Sequence, residues 1–141
     1  MSKVLRVALI VLAVAGVLSL PAFLLLGGQS TLDGTSWRLE AWSVSATDPT
    51  AFTITATFAD GQISGTSAVN SYGGPYKASR TGIFSSGPMN STAMGGPPDA
   101  MRAEQTFFAL LGQVKRYSRL EDALTLMDAN RNPLLIFRKT Q

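Results

Sequence analysis

The chain has 141 residues, with 12 Lys/Arg against 9 Asp/Glu for a net charge of +3, and it contains neither cysteine nor histidine. Those two absences exclude thiolate zinc sites, cysteine nucleophiles, disulfides, imidazole ligands and any triad that needs a histidine base. Lys3 and Arg6 supply two of the three net charges, so the rest of the chain is nearly neutral and offers no phosphate-neutralising surface for nucleic acid.

The first predicted element is a membrane helix. Residues 7–26 carry no charge and a single hydroxyl, Ser19, which is long enough to cross the hydrocarbon core. Lys3 and Arg6 precede the run and hold the N-terminus in the cytoplasm, so the remainder is expected on the periplasmic side of a bacterial inner membrane, single-pass. Ala13-Val14-Ala15 has the form of a signal-peptidase site but comes too early, with further apolar residues beyond it, so a retained anchor is favoured over a cleaved leader. Ala8, Ala13, Ala15, Gly16 and Ser19 offer small residues for close helix packing against a membrane partner. The chain thus divides into residues 1–28, the anchor, and residues 29–141, one exported domain of about 110 residues.

Within that domain, residues 35–42 alternate in part and read as a strand. Residues 52–58 alternate strictly, with Phe52, Ile54, Ala56 and Phe58 on one face and three threonines on the other. Asp60-Gly61 is a hairpin turn that lets residues 62–66 return as the partner strand. Residues 73–98 are dense in Gly, Pro, Ser and Asn, which predicts only short strands near Tyr76 or Ile83-Phe84. Asp99, after Pro97-Pro98, can cap a helix whose apolar stripe is Met101, Phe107, Phe108, Leu111 and Val114, with Gly112 as its stop. Residues 114–120, 123–127 and 133–138 read as closing strands, the last two joined by a polar turn over 128–132. Strands, one helix, then more strands cannot form a chain of βαβ units. A mainly β (α+β) fold is predicted, an antiparallel sheet curled around or against one helix, following the N-terminal transmembrane helix.

Leu32-Asp33-Gly34-Thr35-Ser36-Trp37-Arg38-Leu39, then residues 65–76 with Asn70, Tyr72, Gly74 and Tyr76, then Thr92-Ala93-Met94 and Glu104 with Phe107, resemble the META domain, the domain of the bacterial heat-shock protein HslJ and its relatives. The resemblance implies a small, partly open β-barrel with one helix in an envelope protein, and no reaction. Relatives often carry a Cys just before the Asn of a G-x-x-G-C-N-x-Y motif and another after T-x-M-A. Those positions look like Val69 and Gly96 here. Losing both fits a pair bonded to each other in the relatives, and a missing bridge of that kind costs about 2 to 4 kcal/mol.

Three side-chain groups stand out as candidates. Asn70, Tyr72 and Tyr76 form a candidate polar interaction surface, although turn chemistry explains Asn70, and packing with the hydroxyls at the rim explains the tyrosines, without any ligand. Lys115, Arg116 and Arg119 are the basic cluster of the exported part and could meet anionic head groups or form a solvated strand face. Met89, Met94 and Met101 are read as core filling, and Glu104 as a surface residue of the helix. No paired carboxylates stand at catalytic separation, so neither an enzyme nor a cofactor is expected. The expected partners are membrane lipid, through the helix, and another envelope or inner-membrane protein. The expected function is a non-catalytic binding or assembly module, in its more particular form an accessory subunit of a membrane complex. The alternative is a small-ligand or lipid carrier with a cavity lined by Phe52, Ile54, Phe58 and Phe108.

Overall fold

The computed structural model describes residues 32–44 and 47–140. The expected anchor over 7–26, with Ala8, Ala13, Ala15, Gly16 and Ser19, lies outside the described residues. Among the described residues no helix is long and apolar enough to cross a membrane.

Nine strands form one antiparallel sheet: β1 (Thr35–Trp42), β2 (Thr55–Ala59), β3 (Gln62–Thr66), β4 (Ser71–Ala78), β5 (Phe84–Ser86), β6 (Asn90–Ser91), β7 (Arg116–Leu120), β8 (Ala123–Met127) and β9 (Pro133–Lys139). The strand order is β5-β4-β3-β2-β1-β9-β8-β7, with β6 as a second partner of β4. The last strand therefore lies between β8 and the first.

The two ends of this path meet. Ile83 bridges Arg116, the Phe84 N–H donates to the Lys115 carbonyl at 2.9 Å, and the Tyr117 N–H donates to the Gly82 carbonyl at 2.9 Å. These contacts join the edges at residues 82–84 and 115–117. Among the described residues one α-helix, α1 (Pro98–Gln113), packs Phe107, Leu110 and Leu111 into the same core. The result is a nearly closed antiparallel β-barrel with one helix, the barrel that the family resemblance implied but more closed than the partly open form expected.

Period-two alternation fills the barrel. Ile54, Ala56 and Phe58 are all 0% exposed, whereas the threonines between them face outward. Phe58 meets Tyr76 edge-on at 4.8 Å and Phe84 at 6.4 Å. Ile54 and Phe58 thus pack within the hydrophobic core instead of lining an interior space, and Phe52 and Phe108 pack against that core from its margin. Asp60 (φ 54°) and Gly61 (φ 75°) both adopt the left-handed region that a two-residue hairpin of this hand requires.

Four expectations change. Residues 71–78 form an eight-residue strand in spite of Gly73-Gly74-Pro75, because Tyr72, Gly74, Tyr76 and Ala78 point inward and β3 pairs along most of its length. The helix begins at Pro98, one residue before Asp99. Proline at the first helical position has its φ preset and lacks an N–H that would have no partner there. The buried stripe is Ala100, Ala103, Phe107, Leu110 and Leu111, whereas Met101 is 41% exposed. Gly112 does not stop the helix. It ends after Gln113, where the Lys115 N–H is taken by the Met127 carbonyl and strand pairing begins.

Candidate functional site

Asn70 stands at the end of a tight turn that starts at Ser67. Ser67 is fully buried and its N–H donates to the Asn70 carbonyl at 2.8 Å, while Ala68 sits at φ 82° and donates its N–H to the Thr53 carbonyl. The turn wraps around a carboxylate from the helix. Glu104 accepts from the Ser67 hydroxyl (2.6 Å), the Asn70 N–H (2.8 Å) and the Asn70 side-chain amide (2.8 Å). Burial pushes the Glu104 carboxyl up, but these hydrogen bonds, with a further one from the Val69 N–H, together hold it below the ordinary glutamate range.

The remaining capacity of Asn70 is spent on the segment before the helix. Its amide oxygen accepts from the Thr92 hydroxyl and the Met94 N–H, and its amide nitrogen donates to the Met94 carbonyl. One amide and one carboxylate therefore fasten turn, loop and helix together. Among the described residues no buried side-chain N or O lacks a hydrogen-bond partner.

Asn70, Tyr72 and Tyr76 are 5%, 5% and 6% exposed, which corrects the expectation that they form an interaction surface. The Tyr72 hydroxyl is not at an exposed rim either. The Tyr72 hydroxyl donates to the Thr55 carbonyl at 2.7 Å, its ring meets Phe107 and Phe108 edge-on, and burial raises the phenol far above its usual range. The Tyr76 ring stacks on Phe84 at 6.0 Å. Glu104 is no simple surface residue. Met94, 66% exposed, and Met101 are not core filling, whereas Met89 packs partly into the core.

The basic cluster is divided. Lys115 is exposed, Arg116 donates its Nε to the Ala129 carbonyl at 3.4 Å, and the Arg119 guanidinium lies 5.4 Å from the centre of the Trp37 ring. Arg119 thus lies over an aromatic ring of the core, a cation on a π face.

Sequence reasoning did not find the groove at the barrel seam. Ser86, Gly87, Met89, Ser91, Phe108 and Gly112 line about 340 Å³ of open space between β5, β6 and α1. Its origin is local. Gly87 donates its N–H to the Pro75 carbonyl, but Pro75 has no N–H to return, and the strand breaks into β5 and β6 with residues 87–89 bulged between them. The signal available in the sequence was Pro75 itself, together with the charge-free stretch from 81 to 98.

A small antiparallel barrel with one helix in its seam, clamped by an Asn–Glu pair, defines the structural class. The META domain family model matches residues 30–141, and the chain belongs to that family. The fold is similar to that of a protein from Burkholderia xenovorans solved by NMR, at 26% identity and a TM-score of 0.63, with 86% of this chain and 89% of that one covered. A second NMR structure matches at 20% identity and a TM-score of 0.58, covering 76% of this chain and 90% of that one. A DUF4847 family protein from Bacteroides vulgatus shares the fold at 14% identity and a TM-score of 0.56, over 77% of this chain and 94% of that one. No curated protein matches the chain.

Proposed function

We propose that this META domain protein is a non-catalytic binding or assembly module of the bacterial cell envelope. In this reading residues 7–26 hold it in the inner membrane, the barrel works on the periplasmic side, and the chain serves as an accessory subunit of a larger membrane assembly. One observation carries the proposal. The polar groups gathered inside the domain, Asn70, Glu104, Ser67 and the Tyr72 hydroxyl, are all spent on holding the fold, so recognition falls to the surface. The charge-free run of residues 7–26 supports the membrane attachment. The residues expected to line a carrier's cavity pack within or against the core, so the carrier reading is the weaker of the two.

The experiment is membrane fractionation with N-terminal sequencing and protease accessibility in spheroplasts. A chain that starts at Met1 or Ser2, sediments with membranes and is cleaved from the periplasmic side agrees with the proposal. A soluble chain that starts near Gln29, or one protected in the cytoplasm, overturns the anchored reading. Native sizing after gentle detergent extraction tests the subunit version, which a monomer at every detergent level would remove.

A further inference from the structure

The groove at the barrel seam is bounded by two strand segments whose backbones are directed into it. Ser86 lies opposite Tyr76 on β4 at a position without ladder bonds to it: two residues earlier the Phe84 N–H also points away from β4, to the Lys115 carbonyl, while the neighbouring Gly87 N–H bonds to the Pro75 carbonyl on β4. That register turns the Ser86 N–H and C=O away from β4 and toward the groove. Ser91 lies opposite Tyr72, and the neighbouring Thr92 N–H bonds to the Ser71 carbonyl, so the Ser91 N–H and C=O are likewise turned outward. Two backbone donor and acceptor pairs therefore stand at one sheet edge, four β4 residues or about 13 Å apart. Between them the bulge opens onto Met89, Phe108 and Gly112.

We infer that this groove takes an extended, uncharged peptide segment of a partner protein, added to the sheet as a strand. Its backbone pairs with Ser86 and Ser91, and one bulky apolar side chain, midway between the two pairs, enters the space beside Met89 and Phe108. Edge pairing supplies affinity and the alternate-residue pocket supplies selectivity. Charge matching selects the occupant. Residues 81–98 and 105–114, which form the two walls, contain no Asp, Glu, Lys or Arg, so a charged residue here would lose water without meeting a counter-charge. The inference rests on the proposed binding-module reading and specifies its partner.

Gly112 gives a clean test, because a Cβ there meets nothing within 4 Å and a larger side chain extends into the groove without disturbing the core. The full chain, 15N-labelled in detergent micelles, is titrated with the blocked heptapeptide Thr-Thr-Ser-Leu-Ser-Thr-Thr. Saturable shifts centred on the Ser86 and Ser91 amides are expected. They are lost when the central Leu of the peptide is replaced by Glu, and lost when its second and sixth amides are N-methylated. Gly112→Gln should weaken binding about tenfold, the worth of one buried apolar side chain, with an unchanged or raised melting temperature, whereas Gly112→Ala retains it. Absent shifts, shifts centred away from the seam, an N-methylated peptide that binds equally well, or unaltered affinity in Gly112→Gln would each overturn the inference. Fractionation tests the envelope placement separately, so a cytoplasmic chain that still binds the peptide would sink that placement and leave the groove standing.

Discussion

Glu104 shows how far a single side chain can depart from its sequence reading. It lies off the apolar stripe of α1, which is why it reads as solvent-facing, yet its partners Ser67 and Asn70 are 37 and 34 residues earlier in the chain. No helical periodicity contains that information. Because its folded pKa is lowered, Glu104 contributes stability that is fully present above the ordinary glutamate pKa and is lost as pH falls through the folded value. Chemical denaturation should therefore show stability falling below about pH 4.5, and Glu104→Gln should flatten that dependence. Glu104→Ala, which leaves the buried Ser67 and Asn70 donors without their acceptor, should cost about 3 kcal/mol at neutral pH, measured as a shift in the urea midpoint. Ala68 is the second informative residue. It occupies the second glycine of the G-x-x-G-C-N-x-Y pattern, at φ 82°, where a Cβ is strained. Ala68→Gly should raise the stability by about 1 kcal/mol, and a lower midpoint would show that the turn tolerates alanine.

The elements were legible where alternation or turn chemistry was strong. β1, β3 and β8 fall on their expected residues, and the Asp60-Gly61 hairpin follows from two residues that accept positive φ. β4 was not legible, since its Gly-Gly-Pro looks like a turn and its strand character comes from pairing with β3 and from the inward tyrosines. The seam groove was hidden for the same reason, because Pro75 breaks a partner strand that the sequence does not place beside it. Gly65 is explained by close approach, as a Cβ there would lie 2.3 Å from the Thr55 carbonyl oxygen. Val69 and Gly96, suspected from the family resemblance as a former cysteine pair, are neighbours, with a Cβ at Gly96 lying 3.6 Å from that of Val69. That separation suits a disulfide. The double variant Val69→Cys/Gly96→Cys should oxidise readily and gain about 2 to 4 kcal/mol, checked by thiol titration and by melting with and without reductant. Gly96→Ala alone should gain nothing, because its methyl presses on the Val69 methyls at 3.0 and 3.1 Å.

At the scale of the whole molecule, the mainly β class with one helix followed from the order of the elements, whereas the barrel was implied by the family resemblance and its near closure came from backbone bonds between residues 82–84 and 115–117. The particular contacts that set the site did not follow, since they join residues far apart in sequence. The position of β9 has a consequence for biosynthesis. β1 has β2 on one side and β9 on the other, so its second edge stays open until β9 has been made. Until then the inner faces of Leu39, Leu124 and Leu126 have no Leu135 or Phe137 to meet. Ending the chain at Asn132 should therefore abolish cooperative unfolding of the entire domain rather than fray one edge, and pulse proteolysis of stalled chains should show protection only after residue 139 is released. A protein built in this way stays an open thread through most of its synthesis and commits to its shape in one late step.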